Sequence, residues 1–273
     1  MASLADPAIA MIIGAMKAGT SSLYNYVTRH PNVCPCVKKE PEFFSENQDH
    51  AISADSYEEL WEIKPKHRIR LEASTGYTKY PEEKGIPERI DAYGLNPMFI
   101  YVVRDPIDRI RSDHRYLKQH PNYDEGKSPL DKQYIWRSRY HFQLRQFLDF
   151  FPDRDRYLII SFEELASNPA AVVNEVFEFL DLPAFTPEEF EHHNETPTVS
   201  ILEQLFRRRG LYRLRQLIPE SLRSPLREAL LAISPPSRET IAEEDEAYVR
   251  EVLRDDMKKL QSDFGIDTSK WGF

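Results

Sequence analysis

The sequence predicts a single three-layer α/β domain over residues 1–273, with a central parallel β-sheet flanked by helices. Three apolar runs, each ending at a turn and giving way to a helical pattern, carry that reading. They are residues 9–13 before Gly14, Met98–Val103 before Arg104-Asp105-Pro106, and Tyr157–Ser161 before Phe162. Strand and helix in alternation build a parallel sheet, because each return to the same end of the sheet needs a crossover helix.

In the first run, which begins at Ile9, Met11–Ile13 is far too short to span a membrane and reads as a buried strand. It enters Gly14-Ala15-Met16-Lys17-Ala18-Gly19-Thr20-Ser21, after which Leu23, Tyr24 and Val27 recur at helical spacing. Thr20 or Ser21 is the expected cap of that helix. A glycine turn feeding a helix N-terminus offers backbone N–H groups and a positive dipole end to an anion. With Lys17 inside the turn, residues Ala15, Met16, Lys17, Ala18, Gly19, Thr20 and Ser21 form a candidate phosphate or sulfate cradle. The order differs from that of nucleoside-triphosphate loops, in which the lysine follows the second glycine. Here Thr20 follows Gly19 and the lysine falls earlier.

His30-Pro31-Asn32 ends the first helix, since proline disfavours helix at the residue before it. Residues 33–37 read as a short extended segment. Lys38-Lys39-Glu40-Pro41-Glu42-Phe43-Phe44 follows, with two aromatics to anchor a charged turn. Residues 45–66 are polar and irregular apart from a short helix at 57–62. Arg70-Leu71-Glu72-Ala73-Ser74-Thr75-Gly76-Tyr77 is a strand end entering a glycine-containing turn, with the carboxylate of Glu72 at the strand end. A short helix is expected at 87–93.

Met98–Val103 is the clearest strand, rich in β-branched and aromatic residues. Pro106 suits the first turn of the next helix and Asp105 its cap. Arg104 ends the strand and Ser112 lies eight positions on, with His114 two further. An arginine there suits a phosphate, because its planar fork delivers paired charge-assisted hydrogen bonds. Residues 120–131 form a turn-rich insert. Residues 134–151 are expected to be one long helix whose Tyr140, Leu144, Phe147 and Phe151 line a face, either core or the wall of an acceptor groove. A helix through Phe177 and Leu180 follows Tyr157–Ser161, then a proline-broken loop over 185–199. Seven arginines fall between 207 and 227, and an acidic amphipathic helix over 242–264 closes the chain, pinned by Trp271.

With 41% hydrophobic and 30% charged residues the chain is a folded globular protein, and its net charge of −9 argues against a general nucleic-acid partner. Neither a membrane span nor a basic-then-apolar leader is evident, so a cytoplasmic protein is expected. Cys34 and Cys36 are the only cysteines and read as reduced thiols in a loop, with no spacing for a metal.

Taken together, Gly-x-x-Lys-x-Gly-Thr-Ser at 14–21, Lys-Glu-x-x-Phe-Phe at 39–44 and the Arg104/Ser112 pair resemble the elements of sulfotransferases that use 3′-phosphoadenosine 5′-phosphosulfate (PAPS). The likeness is strongest to the glycan-type and bacterial branches. It implies a P-loop-like fold with the donor at the C-terminal strand ends, PAPS as co-substrate, 3′,5′-ADP as product and no metal. The resemblance makes Glu40 the base, with Glu72 and His114 as further acid/base candidates. Lys17 steadies the bridging oxygen, and the loop holds the 5′-phosphate. Arg104 and Ser112 hold the 3′-phosphate, and Arg208, Arg209 and Gly210 close over it. The acceptor is an alcohol or amine on a glycan, a small molecule or a carrier-tethered acyl chain. Heparan-type members carry a lysine after the glutamate of the 70–77 segment, where this chain has Ala73.

Overall fold

The computed structural model describes residues 6–46, 55–118, 128–187, 190 and 241–273. Five strands, β1 (Ala8–Gly14), β2 (Val33–Pro35), β3 (Ile69–Ala73), β4 (Met98–Val103) and β5 (Tyr157–Ser161), form one all-parallel sheet in the order β2-β3-β1-β4-β5. The central strands β1 and β4 are apolar along nearly their whole length because helices cover both faces. The two short strands on the β2 side complete the sheet beyond the three the sequence made plain.

The chain fills one side of β1 with β3 and β2, then crosses to lay β4 and β5 on the other. Reversal of direction opens a crevice at the carboxyl ends of β1 and β4. Residues 14–19 leave the sheet there, and so does Arg104. The topology alone therefore brings the loop and the arginine together.

The described helices are α1 (Thr20–Val27), α2 (Ile86–Ala92), α3 (Pro106–Lys118), α4 (Lys132–Arg137), α5 (Tyr140–Leu148), α6 (Phe162–Ser167), α7 (Pro169–Phe179) and α8 (Glu243–Phe264). Asp105 caps α3 as expected, its carboxylate accepting from the N–H of Ile107 at 2.7 Å. The expected single helix over 134–151 is instead two, α4 and α5, broken at Ser138-Arg139. Distant partners hold the break. Ser138 Oγ donates to the Tyr134 carbonyl and accepts from Arg109 Nε, while the Asp256 carboxylate of α8 accepts from the N–H groups of His141 and Phe142. The stripe of Tyr140, Leu144, Phe147 and Phe151 is core: all four are buried, the two phenylalanines against Phe99. Trp271 is buried with its ring 6.4 Å from that of Tyr140.

Cys34 and Cys36 are both buried free thiols, Cys34 within β2 and not in a loop. Among the described residues no helix is long and apolar enough to cross a membrane.

Candidate active site

The turn after β1 is shaped by three left-handed residues. Gly14 has φ 146°, and a Cβ there would stand 2.1 Å from Thr78 Oγ1, whose hydroxyl donates to the Ile13 carbonyl. Lys17 has φ 70° and Gly19 has φ 88°. Gly19 is itself the cap residue of α1, and no side chain caps the helix. The expectation of a Thr20 or Ser21 cap is thus corrected: both are helical, because the left-handed glycine starts the helix one residue earlier. The helix N-terminus is left without a side chain across it, which suits an anion whose oxygens would accept from the first N–H groups.

The loop backbone is fixed on several sides. Ala15 N–H donates to the Val102 carbonyl at 2.7 Å, and Ala18 N–H to that of Ala15 at 3.1 Å. Arg104 Nη1 donates to the Lys17 carbonyl at 3.2 Å, and Arg109 Nη1 makes a long 3.4 Å contact with the Met16 carbonyl. Ala15 and Ala18 are buried, Met16 and Lys17 half-buried.

The Lys17 ammonium lies 4.4 Å from the centre of the Tyr116 ring. Burial lowers its pKa below the usual lysine value; Asp113 and Glu40 oppose that fall, and Arg104 and Arg115 add to it. The Arg104 guanidinium stacks 4.5 Å over the Phe162 ring, and its Nε is a buried donor without a partner. An unpaired buried donor beside a positive helix end fits an anion that would complete it. Ser112 lies two turns along α3, half-buried.

Glu40 also adopts a left-handed backbone, φ 57°, with its N–H bonded to the Ala73 carbonyl at 2.9 Å. A non-glycine residue held there costs about 1–3 kcal/mol. Its carboxylate pairs with Lys39 Nζ at 2.8 Å and stays 43% exposed. Its charge acts on both Lys17 and Tyr116, so base candidate, lysine and ring share one neighbourhood.

A sulfotransferase-domain family model matches residues 7–200. The chain belongs to that family. It is 30% identical over 199 residues to human heparan sulfate glucosamine 3-O-sulfotransferase 3B1, covering 68% of this chain and 49% of the relative. It is 28% identical over 198 residues to human heparan sulfate glucosamine 3-O-sulfotransferase 6, covering 68% and 56%. The chain thus spans about half the length of the curated relatives it matches. Among solved structures, a sulfotransferase from Alicyclobacillus acidocaldarius superposes with a TM-score of 0.69 at 22% identity, over 98% of this chain and 100% of that one. A sulfotransferase domain from the curacin biosynthetic pathway gives 0.50 at 21%, over 67% and 76%. At such identities these two establish the fold.

Two of the expected acid/base residues, Glu72 and His114, are buried. Glu72 is fully enclosed, and burial pushes its pKa up to about 8 against the opposing hydroxyls of Tyr77 and Tyr57. It lies in β3 opposite Met11 of β1, in the interior of the sheet. His114 is likewise buried, its ring edge-on to Tyr134 at 5.6 Å in the contact between α3 and α4. Glu42, the other carboxylate of the 38–44 turn, accepts from Gly76 N–H at 2.8 Å and Ser45 Oγ at 2.7 Å, and so fastens that turn to the segment after β3. Arg208, Arg209 and Gly210 lie outside the described residues.

Three residues of the site escaped the sequence reading. Tyr116 follows Ser112 by four positions, one turn along the same helical face, which is the signal that could have marked it. Arg109 and Asp113 are also four apart on α3, a spacing that suits an ion pair. Among the described residues no cluster of His, Cys, Asp or Glu could hold a metal ion.

Proposed function

We propose that this domain transfers a sulfuryl group from PAPS to a hydroxyl or amine of an acceptor by direct in-line displacement. The observation that carries the reading is the meeting of Lys17 and Glu40 beside an uncapped helix N-terminus, with the unpartnered Arg104 Nε at the neighbouring strand end. PAPS supplies an activated sulfate on its 5′-phosphate and a second anion at the 3′ position. The N–H groups of Gly19, Thr20 and Ser21 and the Lys17 ammonium suit the first; Arg104 and Ser112 suit the second.

In the transfer, the acceptor oxygen or nitrogen forms a bond to sulfur while the bond from sulfur to the bridging phosphate oxygen breaks. The electron pair of the broken bond leaves with 3′,5′-ADP, and Lys17 stabilises the charge that gathers on that oxygen. Glu40 takes the acceptor's proton, a contribution on the order of 10²–10⁴-fold. Lys39 Nζ, 2.8 Å from its Oε1, holds the carboxylate at the turn.

Relatives named for heparan sulfate glucosamine favour a glycan hydroxyl among the possible acceptors. Ala73 is a fully buried apolar residue whose carbonyl accepts from Glu40 N–H, so this chain offers no cation from that position to an acidic glycan. We therefore infer an acceptor recognised without that contact.

Calorimetry with 3′,5′-ADP and with ATP, each with and without Mg²⁺, tests the donor. Mass-spectrometric detection of sulfate transferred from PAPS to glucosaminyl glycans, small alcohols and carrier-bound acyl chains tests the acceptor. Metal-independent preference for 3′,5′-ADP is expected, and Glu40→Gln should lower transfer at least about 10²-fold without loss of fold. Tighter binding of Mg²⁺-ATP, or near-wild-type turnover by Glu40→Gln, would defeat the scheme.

A further inference from the structure

Behind the loop lies a buried ion network that the chemistry above does not use. Arg109 and Asp113 are both fully buried and paired at 3.1 Å. Arg109 spends its remaining donors on Ser138 Oγ at 2.8 Å, the Tyr134 carbonyl at 2.7 Å and the long contact to the Met16 carbonyl of the loop. Asp113 Oδ2 also accepts from Arg137 Nη1 at 3.1 Å, and Arg137 pairs outward with Glu82, which is 34% exposed. Asp113 Oδ1 is buried without a hydrogen-bond partner.

A network of this kind is a poor device for stability alone, since apolar side chains of similar volume commonly stabilise as well or better. Its placement is informative. One end touches the loop backbone beside Lys17, and the carboxylate at its centre sits one residue past Ser112 on α3. We propose that Asp113 is a positioning residue for sulfuryl transfer, which through its buried pair with Arg109 holds the Met16 carbonyl next to Lys17 and places a fixed negative charge behind the loop. The role rests on the sulfuryl-transfer reading of the site.

The charges around Lys17 support this assignment. From α3 it faces Asp113, Arg115 and Tyr116, from the end of β4 Arg104, and from the turn after β2 Glu40. Burial and the two arginines favour the neutral amine, which would be useless for steadying a leaving oxygen. Of the two carboxylates that oppose them, Asp113 has the larger influence. Glu40 gives up its own charge each time it accepts a proton, whereas Asp113, held low by Arg109 and Arg137, keeps its charge through the cycle.

The test is the titration of Lys17. In the donor-free protein it is read from the pH dependence of acylation by acetic anhydride, with the modified lysine located by mass spectrometry. The alkaline limb of kcat/KM for sulfate transfer provides a second reading. Asp113→Asn should move both to lower pH by about half a unit or more. Because that variant leaves two buried guanidiniums short of a partner, the double variant Asp113→Asn/Arg137→Gln is measured beside it and should move the same way. Arg137→Gln alone should leave the Lys17 titration in place or raise it. An unshifted Lys17 in a folded Asp113 variant, or an equal downward shift in Arg137→Gln, would overturn the proposal. Failure of wild-type protein to transfer sulfate would overturn the reading beneath it; the acylation titration, which needs no turnover, still decides whether Asp113 is the counter-charge.

Discussion

Arg104 Nη1 donates to the carbonyl of Lys17 at 3.2 Å. The residue assigned to the donor's 3′ end is therefore joined to the loop assigned to its 5′ end, and a nucleotide bridging them would meet two halves already in register. Pre-organisation of this kind reduces what must be ordered on binding.

Replacement of Arg104 should consequently cost more than one phosphate contact. Hydrogen bonds to charged groups contribute about 1.5–3 kcal/mol, so Arg104→Ala should weaken 3′,5′-ADP binding by about 10- to 150-fold. Arg104→Lys restores the charge but not the fork, and should recover only part of the loss. Calorimetric titration of the two variants decides it; wild-type affinity in Arg104→Ala would remove the residue from the donor site.

Tyr116 offers its ring, 4.4 Å away, to the Lys17 ammonium. Cation–π contacts of this kind run from about 0.5 to 2 kcal/mol, so Tyr116→Leu should lower kcat/KM by roughly two- to thirty-fold. Tyr116→Phe keeps the ring and should stay near wild type. Equal losses in both variants would show that the hydroxyl matters and the ring does not.

How far the sequence anticipated this arrangement depended on whether the decisive contacts were local. The glycine turn between β1 and α1, the strand Met98–Val103 and the Asp105 cap are local features, and each was legible. The break at Ser138-Arg139 was not, because neither residue is a helix breaker; Arg109, 29 positions from Ser138, and Asp256, 115 and 114 positions from His141 and Phe142, hold it open. Glu72 was legible as a carboxylate at a strand end. Its exclusion from the site follows from register and from the aromatic residues of distant segments, Tyr57 and Tyr77, around it. Arg109 and Asp113 likewise became buried only through α4, which brings Arg137 and the Tyr134 carbonyl against them.

Glu72 leads to a prediction about stability. Its pKa in the folded protein is pushed up to about 8 from an ordinary value of 4.5, so the folded state binds a proton that the unfolded state has released between those limits. Stability from this group is therefore fully present below the lower value and is lost as pH rises through the higher one, by about 1.4 kcal/mol per pH unit at most. Glu72→Gln, neutral at every pH, should match wild type in thermal denaturation near pH 5 and exceed it by several degrees near pH 8. A melting difference that does not change with pH would mean that Glu72 is ionised in the fold.

Gly19 makes the last demand on the sequence. Its φ of 88° suits glycine, and a Cβ added there would stand 2.7 Å from Cδ2 of Phe162. The left-handed conformation alone costs an alanine about 1–2 kcal/mol. The displaced neighbour matters more, because the same Phe162 ring carries the Arg104 guanidinium 4.5 Å above it. Gly19→Ala should thus act at two places at once, lowering thermal stability and weakening 3′,5′-ADP binding by more than the lost stability explains. The companion Phe162→Leu, which removes the crowded ring edge, should relieve the stability defect of Gly19→Ala while leaving the binding defect, since the platform under Arg104 is gone. Recovery of both in the double variant would show that the ring only fills space.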